Sequence, residues 1–378
     1  MLPPKQDEPD GPQPGGPAPN DPATASGDAS SGPEAVPASP PPALSAPGLL
    51  DWLITILLLG AGGLLLEQPE MAALAALAGL FIAAQAADLG AQWRLFYGLM
   101  AWLVPAGGAI AYAGLAWTIR ENGETGPLPN LMLGWCAAAS ALSLVSALPQ
   151  VSDRLSRLLF RHDPPSHGLR LASRLVLIGL LLGPPGWYAM RDQFAELLKD
   201  PGVLGAESLG AGLIGYVVLA LAAVGFRIRR DLAQTLERLG IRRLSGRDWL
   251  ITFVGVAVLF GLNGALDAIQ HRWLPGLWER DNAVIKALVT DLSVAQVLLI
   301  GLSAGIGEEI TVRGALQPKL GIPLSSLLFA ALHVQYSWYG MSVIFLLGIL
   351  LGLLRKRTST SVAILVHTLY DIVAIATS

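Results

Sequence analysis

Six Glu, Asp, Arg or His side chains lie inside the apolar segments 293–318, 322–337 and 361–376, where burying a charge costs free energy. They are Glu308, Glu309 and Arg313 in "SAGIGEEITVRGALQPKL", His333 in "SSLLFAALHVQY", and His367 and Asp371 in "VAILVHTLYDIVA". A glutamate can act as a general base, and two histidines can hold a metal ion, polarise water or donate to an oxyanion. Together these groups are suited to hydrolysis of an amide by an activated water.

The spacing of the residues gives them different directions. Consecutive helical residues diverge by about 100°, so we expect Glu308 and Glu309 to face different surroundings. Glu309 and Arg313 are four residues apart and share a helix face, which predicts that they neutralise each other while Glu308 faces a cavity. His367 and Asp371 have the same spacing, so they can converge on one atom or hydrogen-bond each other.

The composition is that of a polytopic membrane protein. The 378 residues are 53% hydrophobic and 14% charged, whereas soluble domains carry about 25% charged residues. We expect an all-α fold with about eleven transmembrane helices, in a range of ten to twelve. The apolar segments are 50–66, 71–87, 95–119, 130–148, 171–190, 208–226, 248–270, 293–318, 322–337, 341–354 and 361–376.

Charge and composition orient the chain. Residues 1–47 hold 14 of the 27 prolines and no aromatic residue, which predicts a disordered Pro/Ala/Gly-rich tail. Segments 149–170, 227–247 and 355–357 are basic and fall on one side, which the positive-inside rule assigns to the cytoplasm together with the N-terminus. We expect a bacterial cytoplasmic (inner) membrane location. Segment 227–247 is either an amphipathic surface helix or an ordinary basic loop.

Depth along the helices places four of the polar groups in one layer. With a rise of about 1.5 Å per residue, each lies roughly 10 to 17 Å from a cytoplasmic turn. The four are Glu308, His333, His367 and Asp371. We expect them to line one cavity that opens to the cytoplasmic side. Gly305 and Gly307, just before the glutamates, are expected to permit close approach of neighbouring helices.

Three short motifs resemble those of the CPBP family, the CAAX-protease and bacteriocin-processing (Abi) intramembrane proteases. "EEITVR" resembles E-E-x-x-x-R, "FAALH" resembles F-x-x-x-H, and "HTLYD" resembles H-x-x-x-N/D. The segment "LERLGIRR" at 236–243 is similar to one that these proteins often carry ahead of the core. The resemblance covers about 236–378 and implies a CPBP/Abi-like catalytic helix bundle there. Residues 48–235 form a transmembrane region of unknown role.

The resemblance implies a role for each motif residue. Glu308 with His333 would hold and activate the catalytic water. His367 with Asp371 would stabilise the oxyanion or complete a metal site. The CAAX-processing members usually have Asn at the last position, and an ionised Asp cannot donate to an oxyanion. Asp371 is therefore protonated, orients His367 or binds metal.

The resemblance leaves the cofactor open. Two histidines and a glutamate are a plausible zinc set, here Glu308, His333 and His367. A metal-free glutamate mechanism uses the same residues. Glu309 and Arg313 would support either arrangement.

Two other functions compete with an intramembrane endopeptidase. A proton- or cation-coupled transporter also carries intramembrane carboxylates and histidines, and a catalytically silent membrane scaffold or immunity protein would use them as buried helix contacts. For the peptidase we expect a peptide or membrane-protein substrate within the lipid bilayer and no nucleic-acid partner. The sequence determines neither the substrate nor the oligomeric state.

Overall fold

The computed structural model describes residues 46–198, 200 and 203–377. All regular secondary structure in this part of the chain is helical, as the all-α prediction requires. Residues 1–45 of the predicted tail lie outside the described residues, and Ala46 and Pro47 begin the first helix.

Besides one short 3₁₀-helix, Ala91–Trp93, the first half of the described chain forms nine α-helices. They are α1 (Ala46–Leu65), α2 (Pro69–Leu89), α3 (Arg94–Met100), α4 (Leu103–Glu121), α5 (Pro127–Val145), α6 (Pro149–Phe160), α7 (His167–Met190), α8 (Phe194–Leu197) and α9 (Ala206–Val224).

The second half contains the residues predicted to do chemistry. Its α-helices are α10 (Leu232–Leu239), α11 (Gly246–Trp273), α12 (Pro275–Val289), α13 (Val294–Glu308), α14 (Gln317–Leu320), α15 (Ile322–Ala331), α16 (Trp338–Arg357) and α17 (Thr360–Thr377). Between α13 and α14 the chain continues as a π-helix over Glu309–Leu316.

Ten helical segments of the described residues are long and apolar enough to cross a membrane. This count lies within the predicted range and is one below the expected eleven. The difference is the predicted span 322–337, which contains only the ten-residue helix α15. A helix of this length rises about 15 Å, which is half of the hydrocarbon core.

Helices also form where the hydropathy predicted loops. Part of segment 227–247 forms the helix α10, which begins with a capping box of Asp231 and Gln234; its position on the membrane surface stays a prediction. Gly240 ends it in the left-handed conformation (φ 73°), which glycine adopts without steric cost. α6 forms inside the basic segment 149–170, and α12 forms outside every predicted span. Hydropathy misses such helices because their polar residues lower the average over a window.

Close packing of α13 against α17 positions the site. A Cβ atom at Gly305 would lie 2.7 Å from the backbone nitrogen of Thr368 on α17. A Cβ atom at Gly307 would lie 3.1 Å from the Tyr216 ring on α9. The prediction that these two glycines permit close helix approach is therefore confirmed.

Gly305→Ala should destabilise the protein by about 1–3 kcal/mol, because the added methyl group overpacks the α13–α17 contact. Gly261→Ala on α11 is the matched control, since nothing lies within 4 Å of a Cβ atom there. Thermal unfolding of the two purified variants in detergent measures the difference. Equal midpoints would show that the close approach at Gly305 does not contribute to stability.

Candidate active site

The helix that carries the E-E-x-x-x-R motif changes its winding at the motif itself. Glu308 is the last residue of α13, and Glu309 is the first residue of the π-helix. π-Helical turns are rare and occur frequently at functional sites. The Gly314 and Ala315 carbonyls near the end of this segment each accept a hydrogen bond of 3.0 Å from the Arg238 guanidinium of α10.

Glu309 and Arg313 form the pair that their spacing predicted. Arg313 Nε lies 3.5 Å from Glu309 Oε2, and both side chains are fully buried. Arg313 Nη2 also donates to the Gly348 carbonyl at 3.3 Å, and its Cζ lies 4.5 Å from the centre of the Phe329 ring. The positive charge is thus held by a carboxylate, a carbonyl and an aromatic face.

His367 lies between the two adjacent glutamates. Its Nδ1 lies 3.1 Å from Glu309 Oε1, and its Nε2 lies 3.9 Å from Glu308 Oε2. The two glutamates have different surroundings, as expected, because Glu308 is partly exposed and Glu309 is fully buried against Arg313. Both nevertheless reach the same imidazole. The ring presents nitrogens on two edges, so a residue of α17 can contact two diverging side chains of the neighbouring helix.

Asp371 completes this group. Its Oδ2 lies 3.4 Å from His367 Nε2, one helical turn along α17. Hydrogen bonding from Nδ1–H to Glu309 leaves Nε2 of a neutral imidazole as an acceptor. Two carboxylates also approach Nε2, and ionised carboxylates only accept hydrogen bonds. One proton between Nε2 and a carboxylate oxygen therefore lets these two acceptors form a hydrogen bond.

His333 lies in the turn after α15 and not inside a membrane span, which corrects its predicted position. Its Nδ1 lies 2.8 Å from the Phe329 carbonyl oxygen, so Nδ1 carries the proton and Nε2 is an acceptor in the neutral ring. The Phe329 ring lies 4.6 Å from the His333 ring and 6.2 Å from the His367 ring, measured between centroids. The sequence predicted no role for Phe329 beyond its place in the motif. In the structure its ring contacts both histidines and Arg313.

A cavity of about 390 Å³ borders the predicted residues. Its lining includes Glu308, His333, His367 and Asp371. Glu309 and Arg313 lie behind it. The exposed fraction of the side chain is 25% for Glu308 and 20% for Asp371, against 0% for Glu309. Glu308 is therefore the motif glutamate whose side chain is accessible from the cavity.

Sequence reasoning missed a polar face of α11 that also lines the cavity. Asn263, Asp267 and Gln270 on α11 all line it. Their spacing of four and three residues places them on one helix face, and this pattern in an apolar segment was the signal available. Gln270 Nε2 donates to Asp281 Oδ2 of α12 at 2.7 Å.

Asp281 also fixes the turn that contains His333. The Ser337 backbone N–H and hydroxyl both donate to this buried carboxylate at 2.6 Å, and Ser337 caps α16. The lining continues along α12 through Ile285, Leu288 and Val289. α12 follows the end of α11 that lies away from the basic segment 227–247. The expected opening on the cytoplasmic side therefore stays a prediction.

Among the described residues, no group of three or more His, Cys, Asp or Glu side chains is arranged to hold a metal ion. Glu308 and His367 approach each other at 3.9 Å, whereas His333 contacts the Phe329 carbonyl. The zinc set of Glu308, His333 and His367 therefore stays a prediction.

Fold and site together define an integral membrane protein whose carboxylates and imidazoles converge on one cavity among its helices. Residues 290–373 match the family model described as "Type II CAAX prenyl endopeptidase Rce1-like". The C-terminal part of the chain is thus an Rce1-like domain, and the resemblance predicted from the three motifs is confirmed there. The match begins at residue 290, so the predicted boundary at 236 stays a prediction.

A curated relative supports the same assignment. The chain is 28% identical over 144 residues to the uncharacterized protein YpbD of Bacillus subtilis, which covers 38% of this chain and 73% of YpbD. No solved structure matches the chain significantly.

Arg313→Met should destabilise the protein by about 3–5 kcal/mol, because it leaves the buried Glu309 carboxylate without its partner. Glu309→Gln should also destabilise, and the double variant should lose less than the sum of the two single losses. Glu308→Gln is the control and should unfold like the wild type, since that side chain is partly exposed. Unfolding in detergent is measured for the four variants and the wild type; strict additivity of the two single losses would contradict a stabilising pair.

Proposed function

We propose that the Rce1-like domain is an intramembrane endopeptidase in which Glu308 activates the water that hydrolyses a peptide bond. The observation that carries this proposal is the division between the two adjacent glutamates. Glu308 lines the cavity with a quarter of its side chain exposed, whereas Glu309 is fully buried against Arg313. The family match supports a CAAX-type protease, and the assignment of the base rests on this geometry.

In the proposed reaction, Glu308 takes a proton from a water molecule while the water oxygen attacks the carbonyl carbon. The neutral His333 ring accepts a hydrogen bond from that water at Nε2. The tetrahedral intermediate then collapses as Glu308 returns the proton to the leaving amide nitrogen, and the C–N bond breaks. These steps transfer one proton and add one water across the bond, so no further reactant is needed.

His367 and Asp371 are proposed to face the oxyanion. The proton that lies between His367 Nε2 and the carboxylates makes this edge of the site a donor. Glu309 accepts from Nδ1 on the other edge at 3.1 Å, which fixes the ring orientation. Arg313 in turn holds Glu309, so these two residues act through the imidazole and touch no substrate.

The membrane orientation is also proposed. From the basic segments we infer that the N-terminus and segment 227–247 lie on the cytoplasmic side of a bacterial inner membrane.

In a Cys136→Ala background, Thr125→Cys should react with an impermeant thiol reagent in intact cells, because the loop that contains Thr125 lies on the side away from the cytoplasm. Arg243→Cys should react only after permeabilisation. Reaction of Arg243→Cys in intact cells would show that the orientation is the opposite of the one proposed.

Glu308→Gln should lower the rate of cleavage by about 10²–10⁴-fold, because the water loses its general base, and should leave folding intact. Glu207→Gln, an exposed glutamate on α9, is the matched control and should retain full activity. The substrate is found by comparing membrane proteins that accumulate in cells carrying each variant; the candidate is then cleaved by purified enzyme. Full activity of Glu308→Gln on that substrate would reject this base.

Chelation should leave the cleavage rate unchanged, with less than one zinc bound per chain, because the described residues assemble no metal site. Elemental analysis of the purified protein and activity before and after chelation measure both quantities. Loss of activity that zinc restores would instead assign the Glu308, His333 and His367 ligand set.

A separate measurement distinguishes the transporter. If purified protein in vesicles moved protons or solute across the membrane and cleaved no peptide, the proposed function would be a transporter and not a peptidase.

A further inference from the structure

A second cavity lies on the side of the basic loops, away from the candidate active site. Its volume is about 670 Å³. The lining residues are Leu89, Arg229, Arg230, Gln234, Glu237, Arg238 and Pro318. Three guanidinium groups therefore meet one exposed carboxylate, which gives the cavity an excess of positive charge.

The ion pairs within the described residues do not remove this excess. Arg229 Nη2 lies 2.8 Å from Asp88 Oδ2. Arg230 donates only to the Val224 carbonyl, and Arg238 donates only to the Gly314 and Ala315 carbonyls. Within the described part of the chain, no carboxylate lies within ion-pair distance of either residue. Arg229 Nε is buried and has no hydrogen-bond partner among the described residues.

The neighbours of Arg238 are themselves cations. Burial, with the nearby guanidinium groups of Arg230 and Arg355, lowers the pKa of Arg238 to about 10. Burial and the proximity of Arg229 likewise lower the pKa of Arg230. An anion bound among these groups would relieve the repulsion between them.

The position of the cavity indicates which anion. Leu89 ends the candidate span Pro69–Leu89, and Pro318 lies two residues before the end of the candidate span Val294–Leu320. Two membrane spans therefore terminate at this cavity, at the level where phospholipid headgroups lie. Basic pockets between transmembrane helices on the cytoplasmic side recognise the phosphate groups of anionic lipids, and the planar guanidinium pairs well with phosphate oxygens.

We infer that this cavity binds a phosphate-bearing anion, either the headgroup of an anionic phospholipid or a soluble phosphate. Arg229 and Arg230 contact the ligand, and Arg238 joins it to the π-helix that carries Glu309 and Arg313. The site is separate from the candidate active site and does not depend on the proposed peptidase activity.

The test measures lipid retained by the full-length protein in detergent, by native mass spectrometry, after exchange into mixed micelles of phosphatidylglycerol and phosphatidylcholine. Wild type should retain phosphatidylglycerol preferentially. Arg230→Gln should reduce that preference by about fivefold, the equivalent of about 1 kcal/mol for one arginine near an anionic surface. Arg230→Lys should retain part of the preference, because the charge remains.

Arg243→Gln is the matched control, since Arg243 is exposed in the same basic segment and outside the cavity. It should retain phosphatidylglycerol like the wild type. Inorganic phosphate titrated into the lipid-bearing protein separates the two sources. Displacement of lipid by phosphate, lost in Arg230→Gln, assigns a soluble anion to the same site. Equal retention of the two lipids by wild type together with no binding of inorganic phosphate, or equal losses in Arg230→Gln and Arg243→Gln, would overturn the inference.

Discussion

The candidate site depends on the buried ion pair between Glu309 and Arg313. Burying two charges costs free energy, which their mutual attraction and further contacts must offset. The Gly348 carbonyl and the Phe329 ring contact the guanidinium, and His367 contacts Glu309 Oε1. Arg313 Nε, Arg313 Nη1 and Glu309 Oε2 are buried without a hydrogen-bond partner among the described residues. The pair therefore links two helices, because the position of Glu309 sets the orientation of the His367 ring on α17.

The backbone around this pair is tied to α10. The Arg238 guanidinium donates hydrogen bonds to two carbonyls of the π-helix. The C-terminal end of α10 also binds the start of α17, because the Thr360 hydroxyl donates to the Leu239 carbonyl at 2.6 Å and the Thr360 N–H donates to the Gly240 carbonyl at 2.9 Å. Segment 236–243, noted in the sequence for its likeness to a family segment, thus connects the two elements that bear the polar groups.

The sequence predicted more of the site than of its surroundings. Charges in apolar segments are costly, so six ionisable side chains in three such segments indicated the candidate site without any structure. The four-residue spacings predicted the Glu309–Arg313 and His367–Asp371 contacts, because residues on one helix face are neighbours whatever surrounds them. Hydropathy did not predict that α15 stops at Ala331. That end depends on a turn held by Asp281, which is distant in the chain.

Residue types and spacing by themselves determined an all-helical membrane protein, the groups available for chemistry, and the pairs formed within single helices. These properties are local, since helix geometry and the cost of buried charge fix them. Tertiary structure decided which groups meet across helices. It placed His367 against both glutamates, put Phe329 among three polar side chains, and brought the polar face of α11 to the cavity. Such contacts depend on how the helices pack, and the packing of α13 on α17 is set by shape at Gly305 rather than by any pattern of polarity.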